Sequence, residues 1–151
     1  MIPQDEKSEH IYQQDLEQAS NSYLMAVISV MAGLPLPIIN VVASFIFYLG
    51  YKRASYFVRW HCIQAIMAQA VMVPFNSIAF AWTIRLLVNN QSPDFYFAAY
   101  IFAILIFNIV EFLTVIITAS MVRKGKNVRW FIIANIADAI TSKENRDPYR
   151  I

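Results

Sequence analysis

The feature that most constrains this chain is the distribution of its charges. No Asp, Glu, Lys or Arg lies between Glu17 and Lys52. Between Arg59 and Arg85 the only candidate charge is His61, and from Asp94 to Arg123 the sole charge is Glu111. A hydrocarbon layer about 30 Å thick is crossed by roughly 20 apolar residues in a helix, which satisfies its own backbone hydrogen bonds. Three stretches are long enough: 23–49, 60–84 and 95–122. Only 15% of the residues are charged and 58% are hydrophobic, whereas soluble domains carry about 25% charged residues. The expected fold class is all-α: a polytopic membrane protein with three transmembrane helices and a C-terminal interfacial amphipathic helix. The expected organisation is an acidic polar N-terminal segment (1–22), a membrane domain (23–125), and an interfacial helix with a polar tail (126–151).

Several function classes fall away on composition. A net charge of +2 offers no footprint for nucleic acid. Cys62 is the only cysteine, and His10 and His61 are the only histidines, so neither an internal disulfide nor a zinc-ligand set can be assembled. No cofactor is expected. Phosphate-cradling glycine loops and nucleophile–base motifs are missing as well, which points away from an enzyme. The first 22 residues lack the basic region of a cleavable signal, so the first span is expected to act as its own insertion signal.

Charge also predicts orientation. Residues 1–22 sum to −4, the first connection carries Lys52, Arg53 and Arg59, and the second balances Arg85 against Asp94. Arg123, Lys124, Lys126 and Arg129 follow the third span. Basic residues in short loops stay on the cytoplasmic side. The expectation is an N-terminus outside, a cytoplasmic first connection, an outside second connection and a cytoplasmic C-terminus. Tyr48, Tyr51, Tyr56, Trp60 and Trp130 accompany the basic segments, while Trp82, Tyr96 and Tyr100 border the opposite face, as amphipathic rings at two headgroup regions would. Gly50 and Gly125 follow the first and third spans, where a left-handed cap would suit them.

The first span contains Pro35 and Pro37. Each removes a backbone donor and clashes with the preceding turn, so the helix is expected to kink or break there. Broken fully, it becomes two half-helices in a re-entrant hairpin that returns the N-terminus to the cytoplasmic side. Pro74 is expected to bend the second span mildly. Beyond the third, Ile132, Ile133, Ile136 and Ile140 share one helical face and Asn135, Asp138 and Ser142 lie opposite, the pattern of a helix lying in the membrane plane.

The stretch from Leu34 to Gln69, "LPLPIINVVASFIFYLGYKRASYFVRWHCIQAIMAQ", resembles bacterial membrane proteins related to the twenty-kilodalton Tic subunit of the chloroplast inner-envelope import machinery. The resemblance rests on the proline-containing first span, the short basic connection, and an aromatic-Val-Arg-aromatic-His-x-x-Gln-Ala run at Phe57, Val58, Arg59, Trp60, His61, Gln64 and Ala65. It covers about residues 23 to 125. It implies a small helical membrane protein in a protein-translocation setting, located in the bacterial inner (cytoplasmic) membrane or, alternatively, the plastid inner envelope.

Two groups of residues stand out as candidate sites. Lys52, Arg53, Arg59, Trp60, His61 and Gln64 gather at the cytoplasmic mouth of the second span, where they are expected to meet lipid headgroups or a partner subunit. Asn40, Gln69 and Glu111 form the second group. At a rise of about 1.5 Å per residue, Glu111 lies roughly 18 Å from the basic end, and Asn40 and Gln69 roughly 15 Å. Arg59 is too shallow to reach Glu111, so the expected arrangement is an Asn40–Gln69–Glu111 cluster near the midplane. The functional expectation is a non-enzymatic subunit of a larger membrane assembly whose partners are membrane lipids and other membrane proteins. The alternative is a small proton- or ion-linked carrier, homo-oligomeric and centred on Glu111. The charge pattern makes one direct prediction. In intact cells and a Cys62-free background, cysteines placed at Lys52 and Lys126 are shielded from an impermeant thiol reagent, and one at Ser92 is labelled. Labelling at Lys52 would reverse the orientation.

Overall fold

The computed structural model describes residues 13–31 and 38–144, and in them the chain forms five helices: α1 (Gln13–Met31), α2 (Ile39–Tyr51), α3 (Tyr56–Val88), α4 (Phe95–Arg123) and α5 (Phe131–Glu144). No strand occurs among the described residues. Two of the helices, α3 with 33 residues and α4 with 29, are long and apolar enough to cross a membrane.

Local chemistry sets the ends of the two long helices. The Ser55 side chain caps α3 by accepting from the Val58 amide, and Asp94 caps α4 by accepting from the Phe97 amide at 2.8 Å. Gly125 closes α4 with φ +80. Its amide donates to the Val122 carbonyl and that of Lys126 to the Met121 carbonyl, the paired bonds of a glycine-terminated helix. Gly50 does not play the expected capping part, because α2 continues through it to Tyr51. Pro74 lies inside α3, which remains one helix to Val88.

The largest departure from the sequence expectation concerns the first span, which is not one transmembrane helix. The expected kink at Pro35 and Pro37 lies outside the described residues, but on either side α1 ends at Met31 and α2 begins at Ile39. At about 1.5 Å per residue, the 13 residues of α2 reach roughly 20 Å, short of a 30 Å layer. The two helices pack against each other and both run between the same two levels. Glu17 in α1 pairs with Arg123 at the end of α4 at 3.7 Å, and Leu16 lies beside Gly125. Further along, Val27 of α1 and Asn40 of α2 line one cavity with Glu111. The chain then returns through α2 to Tyr48, which packs against the cluster of Trp60, Ile63, Ala134 and Ala137. The described start of α1 therefore lies at the same end of the bundle as Lys52, Arg123 and α5, not at the opposite end.

Residues 13–22, within the acidic segment, are helix and partly core. Leu16, Ala19, Tyr23 and Val27 recur every three or four residues and form the stripe that packs on Phe57, Ala65, Val115, Ala119 and Val122. Charged and polar neighbours dilute that stripe in any window that averages hydropathy. The fold-back covers only one half of the α3–α4 pair. In the other half, no residue from 70 to 103 is buried, and Phe75, Ile78, Leu87, Phe95 and Phe102 point outward.

Helix α5 packs on the first turns of α3 through Ala134 and Ala137, against Trp60 and Ile63. Its isoleucine face remains free, with Ile132, Ile136 and Ile140 exposed and Phe131 at 90%. A clasp holds the helix in place. Trp60 Nε1 donates to Asp138 Oδ1 at 2.7 Å, Arg129 donates to Asp138 Oδ2, and the Arg129 guanidinium lies 5.1 Å from the Trp60 ring centre. Burial raises the affinity of Asp138 for its proton, but the bonds from Arg129 and Trp60 and the Arg129 charge outweigh it and hold this carboxyl below its ordinary value. A depressed carboxyl stabilises the clasp above the ordinary carboxylate range and withdraws that support as pH falls through its lowered value. Asp138→Ala should therefore loosen α5 at neutral pH by about 1 kcal/mol, read as faster proteolysis within the Gly125–Trp130 connection. The wild-type protein should show the same loosening only in acid.

Candidate functional site

Arg59, Trp60, His61 and Gln64 are not displayed to headgroups or partners as expected. They are buried, with Arg59 at 2% exposure and His61 and Gln64 at 0%. The physical reason is the pair of packing events just described. The fold-back of α1 covers one side of α3's first turns, and α5 covers another. Lys52 and Arg53, in the turn between α2 and α3, are exposed.

What the buried motif does is tie four parts of the chain together. Gln64 Nε2 donates to the Tyr23 hydroxyl at 2.7 Å and to the Val128 carbonyl at 2.9 Å, while Gln64 Oε1 accepts from the Trp130 amide at 3.1 Å. Tyr23 Oη lies 2.8 Å from His61 Nδ1. The tyrosine oxygen thus joins Gln64 and His61, and the direction of its bond to Nδ1 follows the imidazole tautomer. The ring is walled by Phe57 and Trp60, with ring centres 4.5 and 4.9 Å away. Trp130 Nε1 donates to Thr118 Oγ1 at 3.0 Å and brings α4 into the same network. One glutamine thus fastens α3 to α1 and to the connection between α4 and α5.

Above this network lies the second group. Gln69 Nε2 donates to Glu111 Oε1 at 2.5 Å, and Asn40 lines the same cavity of about 70 Å³. Asn108 is a fourth polar wall, and Val27, Phe112 and Val115 complete the lining among the described residues. Beyond the cavity, Asn76 and Asn108 exchange amide hydrogen bonds of 3.1 and 2.8 Å, and the Tyr100 hydroxyl donates to the Phe75 carbonyl at 3.0 Å. These contacts make a polar ladder along the seam between α3 and α4.

The structure thus brings Asn40, Gln69 and Glu111 to one cavity and separates them from Arg59 and His61. Sequence reasoning missed Tyr23, Asn76, Trp130 and Asp138 as members of these networks. For Asn76 a signal was present, because it follows Gln69 by seven residues, two turns along the same face of α3. Tyr23 carried no such signal, since its partners lie 38 and 41 residues away. Among the described residues no group of three or more His, Cys, Asp or Glu side chains could hold a metal ion.

The glutamine network predicts that Gln64→Leu, which leaves the Val128 carbonyl and the Trp130 amide unpaired, costs about 1–3 kcal/mol per buried group. Tyr23→Phe should cost about 1 kcal/mol, and the two together less than their sum, as residues sharing one network do. Thermal unfolding of the three variants in one detergent checks this, and strict additivity would break the proposed network.

Comparison of the chain with protein-family models, with curated proteins and with solved structures finds no match.

Proposed function

We propose that this chain is an integral membrane protein that acts as a non-enzymatic subunit of a larger membrane assembly, with its basic end in the cytoplasm. The observation that carries this reading is the bare half of the α3–α4 pair. Only 6% and 17% of the apolar windows of these helices are buried within the protein. The core helix of a soluble protein would have most of that surface covered. Here the covering material is lipid and neighbouring subunits. Outward-facing Phe, Ile and Leu suit both, and the polar ladder pairs Asn76 with Asn108 within the seam between α3 and α4.

The same reading gives α1 and α2 the form of a re-entrant hairpin inserted from the basic side, which is tolerated at membrane depth because α3 and α4 cover it. Its setting in protein translocation, and in a bacterial inner membrane, comes from the resemblance of the Leu34–Gln69 stretch alone. A second reading, a small proton- or ion-linked carrier, is favoured by the Glu111 cavity.

The test is gentle extraction of the full chain followed by mass measurement of intact complexes. The subunit reading expects other proteins at fixed stoichiometry, whereas a pure homo-oligomer would favour the carrier. Recovery of the chain in the soluble fraction after alkaline washing would sink both. The hairpin has its own readout. A cysteine at Gln14 should join those at Lys52 and Lys126 in being shielded from impermeant reagent in intact cells, and labelling at Gln14 would remove the re-entrant arrangement.

A further inference from the structure

We propose that the cavity between Asn40, Gln69, Asn108 and Glu111 is a binding site for a single positive charge, taken up as a proton on Glu111 or as a sodium ion held by Glu111 and the amide oxygens. The inference rests on the membrane reading above and on the carrier reading only for its location; it concerns binding, not transport.

Size restricts the occupant first. A cavity needs about 10–15 Å³ to admit one water, so about 70 Å³ admits an ion with a few waters. Small-molecule sites begin at about 300 Å³, which excludes an organic substrate. Charge restricts it next. Among the described residues the polar wall is one carboxylate and three neutral amides, and Glu111 has no ion pair. Its carboxylate repels an anion. A divalent cation would be matched by only half its charge, and it favours sites with more than one carboxylate. One monovalent positive charge balances the wall.

The surrounding elements suit such an occupant. Helix α1 supplies Val27, α2 supplies Asn40, α3 supplies Gln69, and α4 supplies Asn108, Phe112 and Val115 beside Glu111 itself. The other charged or titratable groups on these helices stand outside the wall: Asp15, Glu17 and Tyr23 in α1, Tyr48 and Tyr51 in α2, Tyr56, Arg59, His61, Cys62 and Arg85 in α3, and Tyr96, Tyr100 and Arg123 in α4. Val27 stands one turn before the end of α1, and Asn40 in the first turn of α2. The cavity therefore sits where one helix ends and the next begins, a place where broken membrane helices commonly hold ions. With its amide nitrogen given to Glu111, Gln69 keeps its oxygen for an occupant.

The test uses the full chain in detergent and dicyclohexylcarbodiimide, an apolar reagent that adds whole to a protonated carboxyl. The carboxyl oxygen bonds to the central carbon and the proton passes to a nitrogen, so the mass rises by the entire reagent. Peptide mapping should place the adduct on Glu111. On the alkaline side its rate of formation should fall about tenfold per pH unit, as a one-proton equilibrium requires. At fixed pH and ionic strength, slowing by sodium chloride but not choline chloride, and loss of that slowing in Asn40→Leu, assigns the sodium ion. An unchanged rate in sodium with the pH dependence intact assigns the proton alone. No adduct at Glu111 at any pH, or one formed at a rate indifferent to both pH and sodium, overturns the proposal. Glu111→Gln should lose the adduct, and if it does not fold, the mapped wild-type adduct still decides. Failure here leaves the subunit reading untouched, because alkaline washing and intact-complex mass decide that one separately.

Discussion

Everything in the bundle depends on the side-by-side return of α1 and α2 against the first half of α3. Tyr23 is the pivot. Its hydroxyl accepts from Gln64 and faces His61, which holds α1 parallel to α3 with its start near Arg123. That placement sets the remaining geometry: Val27 meets the level of Gln69 and Glu111, α2 returns alongside, and Asn40 arrives at the same cavity. The exposed Glu17–Arg123 pair marks the register, but at 49% and 64% side-chain exposure it adds little stability. Burial of Ala19, Tyr23 and Val27 contributes more, because close packing and internal hydrogen bonds hold membrane helices together and are not screened by salt.

The buried motif answers why an arginine, a histidine and a glutamine stand together among aromatic rings. Such residues near the start of an apolar helix invite a reading as surface anchors. In this fold the start of α3 is the most enclosed part of the molecule, because α1 and α5 both cover it. Polar side chains in that position must find partners inside the protein. Gln64 does so with both ends of its amide, which makes it a structural fastener between α1, α3 and the segment leading to α5.

The two halves of the molecule are consequently unlike. One half is a five-helix cluster that encloses the Gln64 network, with Ser44 Oγ and His61 Nε2 buried without a partner among the described residues, and the other is a two-helix pair whose outer face is mostly apolar. Asn76, Asn108 and Tyr100 hold that pair together from inside. The division explains how so short a chain can keep a well-packed end and still offer most of its long helices to its surroundings. The Glu111 cavity falls at the boundary between the halves, where α1 and α2 stop covering the seam.

Much was legible without coordinates. The charge-free stretches announced helices in the right places for α3 and α4, and Gly125 marked the end of α4 because capping chemistry is local. Helical rise alone put Asn40, Gln69 and Glu111 at nearly one depth, and the structure sets them around one cavity. The fold-back of α1 was not legible, because it depends on Tyr23 meeting residues 38 and 41 positions away, and no local pattern encodes such a meeting. The same holds for Trp60 and Asp138, separated by 78 positions. Sequence by itself determined the two long helices and which residues share a depth, since both follow from the rise and periodicity of one helix. Only the tertiary structure decided which faces are covered: burial belongs to pairs of elements, and the packing of α1 and α5 on α3 turned an expected outer surface into the core.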